Sequence, residues 1–284
     1  MQLSSLKDPL IGMYYLASLP VRHRLAANRA AAGRAPITVL FYHRVADEHP
    51  NDWTISTVRF LAQMAWIRKR FEIIPLVEAQ QRMGADSNRT PAVCITFDDG
   101  YADNCRTAIP WLLDNQVPFT YFVATQQVLE SRPFDHDVKY GAPLAPNSPE
   151  ELRVMAEAGV ELGAHTRTHA DLGAIDDEVR LYDEIVGSKR DLELVTGKPV
   201  KYFAFPYGLN ANLSEAAFRI AFASGYWGVC SAYGDYNVPG DDPFHIHRIH
   251  GDPSWPRFCN ALTFDPRKFR RVARFKANNY RLSF

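Results

Sequence analysis

Cysteine is scarce in this chain: four in 284 residues, Cys94, Cys105, Cys230 and Cys259, with no CxxC pair. That excludes a disulfide framework and a zinc ribbon and leaves buried thiols as the reading. A surplus of charge is absent too, because 32 basic side chains cancel 32 acidic ones. Without a bulk positive field to gather phosphates, nucleic acid is not an expected partner. Long apolar runs are missing: the longest early uncharged run, 9–21, has 13 residues, short of the roughly 20 that a bilayer-spanning helix needs. No internal repeat or low-complexity block occurs. What is present, 46% hydrophobic and 12% aromatic side chains, describes one sizeable globular domain or two small ones.

The charges are unevenly spread. Residues 1–34 hold five Lys/Arg and one Asp, and residues 267–284 hold seven Lys/Arg and no acid, which leaves 35–266 with a net charge of −11. The uncharged run has Asp8 before it and Arg22, Arg24 and Arg29 after it, the reverse of the charge order around a secretory signal. Two readings stay open: a helix packed on the domain, or an interfacial helix with Leu10, Ile11, Tyr14, Tyr15 and Leu16 in a headgroup layer and the arginines on lipid phosphates. The expected location is the cytoplasm or the inner face of a membrane, with the basic ends attracted to anionic lipid. The expected divisions are an N-terminal helical extension over 1–35, a main domain over 36–266 and a basic tail over 267–284. The Ala/Arg-rich stretch 26–34 is the one candidate linker.

Within the main domain, β-rich apolar runs alternate with helical patterns. Runs at 37–42, 92–97, 118–124, 160–164 and 202–205 are followed by helical patterns at 58–70, 103–113, 150–158, 178–194 and 214–223, and short runs at 226–230 and 245–249 close the series. This alternation implies an α/β fold with a largely parallel sheet, and about seven units favour a barrel over an open sheet. Ser148 and Glu151 form a capping box, Pro149 suits the first helical position, and Gly159 suits the residue past the end. Residues 126–147 have neither periodicity nor a clean strand, and a loop of that length is usually a lid or a binding rim.

Parallel α/β proteins place their chemistry at the carboxyl ends of strands, and three runs end in suggestive residues. The first ends in Thr96-Phe97-Asp98-Asp99-Gly100; two adjacent carboxylates leaving a buried strand need a cation or donors, unless they are a solvated turn. The next ends in His165-Thr166-Arg167-Thr168-His169, where histidines four apart can converge on one ion. One Asp and two His make a facial three-ligand set with open positions. The last is Phe205-Pro206-Tyr207-Gly208, a turn whose backbone N–H groups can point at an oxyanion.

In combination these elements resemble the motifs of the polysaccharide deacetylases of carbohydrate esterase family 4, over roughly residues 36–265. The resemblance implies a distorted (β/α)7 barrel, to which the N-terminal helical extension read from residues 1–35 is added. It further implies a divalent metal, usually zinc, and removal of acetyl groups from N-acetylated or O-acetylated sugars, with an acetylated amino-sugar polysaccharide the expected substrate. Carried onto this chain, Asp99, His165 and His169 would bind the metal and Asp98 would act as general base toward a metal-bound water. The Tyr207 backbone, in the turn begun by Pro206, would meet the oxyanion.

Two departures from the family pattern stand out. The usual C-terminal acid histidine motif is missing, but Phe41-Tyr42-His43-Arg44-Val45 resembles the N-terminal element of the circularly rearranged poly-N-acetylglucosamine deacetylases. His43 is therefore the expected acid, with His245, His247 and His250 in reserve. Val200-Lys201-Tyr202 stands where many members carry an arginine that orients the base, so Arg248 is assigned to the oxyanion and substrate side as the replacement guanidinium, a surface ion pair being the other reading. Tyr207 and Trp227 could stack on sugars or pack in the core, and His136 is either at the substrate or solvated. Two other functions remain open: a noncatalytic carbohydrate-binding protein on the same barrel, and a non-haem iron oxygenase, which also uses two His and one carboxylate.

Overall fold

The computed structural model describes residues 7–267, 275–278 and 280–281; the first six residues of the N-terminal extension and most of the basic tail expected over 267–284 lie outside the described residues. Seven parallel strands form a nearly closed barrel: β1 (Ile37–Tyr42), β2 (Ala92–Phe97), β3 (Phe119–Val123), β4 (Glu161–Ala164), β5 (Tyr202–Ala204), β6 (Gly228–Cys230) and β7, made of the two halves His245–Ile246 and Arg248–His250. The first half of β7 pairs with β6 and the second with β1, so one short run joins both ends of the sheet. The expected (β/α)7 barrel is therefore the observed fold.

Side-chain alternation sorts the core into two layers. Ile37, Val39, Ala92, Cys94, Phe122, Tyr202, Ala204, Cys230 and Ile246 cluster on the inside of the barrel, joined by Leu76, Ala79 and Met83 of the helix Leu76–Gly84. Their neighbours Leu40, Tyr42, Val93, Ile95 and Phe97 face outward into the larger cluster shared with the surrounding helices. The capping box at Ser148 and Glu151 is formed, and Gly159 follows that helix at φ 86°.

Several expectations need correction. Residues 26–34 are not a linker, since the first helix runs unbroken over Asp8–Ala31 and reaches β1 within a few residues. The 126–147 segment is not structureless: it carries the short helices Thr125–Leu129 and Asp135–Lys139, too short to show a period. Cys105 is only partly buried, whereas the other three cysteines are buried.

The N-terminal helix packs along the helix Trp255–Leu262. The interfacial reading would put Arg22 on lipid phosphates; instead, as the packed-helix reading has it, Arg22 is buried and donates to the Thr263 carbonyl at 2.8 Å and to Asp265 at 3.2 Å. Arg29 lies over the Phe264 ring, 5.2 Å from its centre. Only Arg24 of the three arginines is exposed. Among the described residues no helix is long and apolar enough to cross a membrane.

Candidate active site and metal centre

Strand register builds the site. Tyr42 of β1 is paired with Phe97 of β2, so His43 and Asp98 leave the barrel side by side. Arg248 of β7 is registered against Val39 of β1, and its side chain enters the barrel between the Phe41 and Phe122 rings, 5.0 and 5.3 Å from their centres. There it grips both oxygens of Asp98, Nη1 to Oδ1 at 2.6 Å and Nη2 to Oδ2 at 2.9 Å. Its Nε donates to the Ser231 carbonyl and Nη1 also reaches Thr96 Oγ1. The surface ion-pair reading of Arg248 is thus overturned, because both partners are buried. Burial alone would push the Asp98 carboxyl up; the charge of Arg248, helped by His165, holds it below the usual carboxylate range.

Asp99 turns the other way. Its Oδ1 is buried without a hydrogen-bond partner, yet lies 3.4 Å from His165 Nε2 and 3.2 Å from His169 Nε2. Three ligand atoms, one from each residue, fall within 4.8 Å of one another, the single such group among the described residues. Ligands on a tetrahedral ion bound at about 2.0–2.1 Å stand about 3.3 Å apart. The spacing, together with an orphaned buried carboxylate oxygen, fits a divalent cation with oxygen and nitrogen ligands. Burial raises the Asp99 carboxyl, but His169 and His43 outweigh it and hold the group well below the ordinary value. His165 Nδ1 sits 2.8 Å from the Ala204 carbonyl; a carbonyl only accepts, so that nitrogen carries the proton and Nε2 keeps its lone pair for the site.

The segment bearing the two histidines is held from behind by a residue the sequence reading missed. Glu184, buried, accepts from the Arg167 N–H and the Thr168 N–H at 3.0 Å each and from Thr168 Oγ1 at 2.5 Å. It projects from the π-helical turn Asp183–Gly187, which interrupts the helical stretch from Glu178–Tyr182 to Ser188–Thr196. Arg167 then lies across Gly187, where an added Cβ would come within 2.5 Å of its Cδ, and pairs with Asp183 and Asp191.

These groups open into a cavity of about 470 Å³ whose walls include His43, Trp53, Asp98, Asp99, His165, His169, Tyr207 and His250. His43 rests against Trp53 with ring centres 4.8 Å apart, its backbone carbonyl held by Asn104. Its Nδ1 is buried with no partner, and burial pushes the imidazole down to about 4 against the upward pull of Asp99 and Asp98. Of the reserve histidines only His250 reaches the cavity; His245 and His247 are buried beside Ser231 and Tyr233. The Tyr207 and His169 rings meet edge to face with centres 5.2 Å apart, and the turn from Pro206 to Gly208 carries φ values of 60° and 62° at Tyr207 and Gly208.

Neither Pro206 nor Arg248 forms the cavity wall; Arg248 stands behind Asp98. Trp227 immediately precedes β6, at the opposite rim, with Lys201 over its ring, so it cannot stack on a ligand in this cavity. His136 lines the cavity and meets Tyr101 Oη at 3.0 Å, with about a third of its side chain still exposed. Trp53 was missed as well; a lone aromatic in a polar loop was its one signal.

The polysaccharide deacetylase family model matches residues 85–224. A chitooligosaccharide deacetylase from Bradyrhizobium sp. (strain ANU 289) is 27% identical over 174 residues, covering 60% of this chain and 70% of that one. Among solved structures, IcaB from Ammonifex degensii superposes with a TM-score of 0.66 at 24% identity, over 80% of this chain and 97% of that one. Streptococcus pyogenes deacetylase PplD, in complex with acetate, gives 0.68 at 18% identity, over 82% and 100%. The two structures share the barrel, and the family match spans the segment that carries Asp98, Asp99, His165, His169 and Tyr207: this chain contains a polysaccharide deacetylase domain of carbohydrate esterase family 4.

Proposed function

We propose that the chain is a divalent-metal-dependent hydrolase, with zinc the preferred ion, that removes acetyl groups, N-acetyl ones foremost, from an amino-sugar glycan. One observation carries this reading: an Asp–His–His group with a free carboxylate oxygen stands beside a second carboxylate clamped by a buried guanidinium. Asp99, His165 and His169 would hold the ion. When bound there, it would supply Lewis acidity, lowering the pKa of water toward about 7 and polarising an acetyl carbonyl.

Asp98 is a weak base, because Arg248 holds it below the usual range, so it can take a proton only from a water already made acidic. Arg248 also fixes the carboxylate plane, which orients the remaining lone pairs toward the cavity. As the water oxygen bonds to the carbonyl carbon, the Tyr207 N–H is the proposed donor to the developing oxyanion. His43 is neutral at pH 7 before substrate binds, since burial keeps it near 4. It takes up a proton from solvent as negative charge builds beside it and passes that proton to the nitrogen when the carbon–nitrogen bond breaks, giving acetate and a free amino sugar, while Asp98 returns to solvent the proton it took from the water.

The binding-only reading drew on two departures, the missing C-terminal acid histidine motif and Val200-Lys201-Tyr202 in place of an arginine; against it, Arg248 grips Asp98 from β7 and His43 lines the cavity. An oxygenase would need O₂. The test is an acetate-release assay over chitooligosaccharides, poly-N-acetylglucosamine and acetylated xylan, run with metal analysis and repeated anaerobically. Asp98→Asn should lose turnover about a thousandfold while retaining its metal. Undiminished turnover in that variant, or activity that vanishes without O₂, would refute the assignment.

A further inference from the structure

Residues 9–21 contain no charged side chain, and in the helix Asp8–Ala31 they present two apolar faces. The inner face is accounted for by Tyr14 on Asp265 and by packing along Trp255–Leu262. The outer face carries Leu10, Met13, Leu16 and Val21, each 60–65% exposed, with Ala17 and Pro20 exposed between them. Steps of three and four residues keep these on one side, so they form a continuous stripe about three turns long. Contiguous exposed apolar surface of this kind marks an interaction site.

We propose that this stripe docks the protein on an anionic lipid bilayer. Charge selects the occupant. The stripe is bracketed by exposed Lys7 at one end and exposed His23 and Arg24 at the other, while the nearest acid, Asp8, is paired with Arg257. The basic segment 267–284 begins beside the same helix, where Arg267 lies over the Tyr14 ring. Residues 35–266, with a net charge of −11, are repelled by an anionic surface, which turns the helix side toward it. A second copy is the poorer occupant. Two stripes laid face to face, parallel or antiparallel, set Lys7 and Arg24 of one copy against the same cations of the other.

The corrected geometry changes which residues would enter the headgroup layer. Tyr14, Tyr15, Arg22 and Arg29 are turned toward the domain, and Met13, Ala17, Pro20 and Val21 take their place. Docking also has a consequence for the site. Leu10, Ile11 and Tyr14 line a cavity of about 740 Å³ that shares Leu209, Ala232 and His250 with the catalytic cavity. The helix that meets the bilayer thus forms one wall of a groove leading to Asp99.

The test is flotation of the full chain with vesicles of equal parts phosphatidylglycerol and phosphatidylcholine at low salt, and with phosphatidylcholine vesicles alone. The chain should float with the anionic vesicles and partition about tenfold less onto the neutral ones. A Met13→Gln/Leu16→Gln/Val21→Gln variant should partition at least about tenfold less than the parent onto anionic vesicles, with the same circular dichroism and the same acetate release from a soluble oligosaccharide. No flotation of the parent, or equal flotation of parent and variant, overturns the proposal. So does a lipid-free dimer of the parent that the variant abolishes, which would assign the stripe to a second copy. Flotation is read independently of acetate release, so neither result depends on the proposed chemistry.

Discussion

At the amino-terminal rim of the barrel, the turns leading into β4, β5 and β6 place Gly159, Gly197 and Gly225 at φ 86°, 65° and 76°. A Cβ added to any of them would meet nothing within 4 Å, so glycine is there for its backbone alone. At the carboxyl-terminal rim, the turns leaving β2, β4 and β5 place Asp99, Thr166, His169 and Tyr207 at 76°, 62°, 58° and 60°. A residue with a side chain in that region is strained by about 1–2 kcal/mol. Three of those four line the cavity. In these turns the left-handed backbone is relieved by glycine where nothing must converge and retained under strain where carboxylate, imidazole and phenol have to meet; Gln116, ahead of β3, keeps it at φ 54° at the first rim, and Gly100 and Gly208 take it with glycine at the second. The carboxyl-terminal rim holds its groups against their own preferences, and the packing of the rest of the barrel sustains them there.

The largest expected effect that tests this contrast comes from His43, at the carboxyl-terminal end of β1. Burial pushes its imidazole from 6.5 to about 4. Between those values the unfolded chain binds a proton that the folded protein does not, so this contribution is fully present above pH 6.5 and is lost as pH falls toward 4. A shift of that size corresponds to roughly 3 kcal/mol. Asp98 and Asp99, held low, act in the same direction further down: their contribution is present above the unfolded carboxylate value and lost as pH falls below it. Denaturant unfolding followed from neutral pH down to pH 4.5 should therefore show a flatter pH dependence in His43→Asn than in the parent. Parallel curves would mean that the imidazole is charged in the folded protein, and that this rim does not suppress its ionisation.

The part of the site legible in the sequence was the part written contiguously. Asp98 with Asp99, His165 with His169, and Tyr207 each close an apolar run, and a strand end at one rim is a local property. Arg248 was readable only as an alternative, because its place behind Asp98 depends on β7 joining β1, with the partners 150 residues apart. Glu184 was invisible: a charged residue in a helical pattern reads as solvated, and nothing local announces that a π-helical turn points it inward. The place of Arg22 stayed open between two readings for the same reason, since its partner Asp265 is 243 residues away. The barrel itself was legible because seven buried runs need no partner identity to be recognised, only their burial and their alternation with helices.

A smaller effect should follow at Glu184, which sets the height of the strained His165–His169 segment. Glu184→Gln keeps the shape but replaces a carboxylate accepting three donors with an amide that must turn its NH₂ toward one of them. Supports of this kind behind a metal ligand are worth about 10–100-fold in affinity. Competition with a chromophoric chelator should show zinc affinity falling within that range, with little change in the fold by circular dichroism. Unchanged affinity would mean that the ion pairs of Arg167 with Asp183 and Asp191 hold the segment without help.

The smallest expected effect probes the other rim. Gly197→Ala adds a Cβ into open space at φ 65°, so only backbone strain is introduced, about 1 kcal/mol, which for a chain of this size lowers Tm by about 2–4 °C. Because β5 carries the Pro206–Gly208 turn at its far end, the variant also asks whether strain at one rim is felt at the other. Close packing along a strand buried on both faces confines it to the turn, so stability should fall while acetate release per folded molecule stays at the parental level. A matching fall in turnover would show that left-handed strain travels the length of the strand, and the two rims would then share one mechanical state.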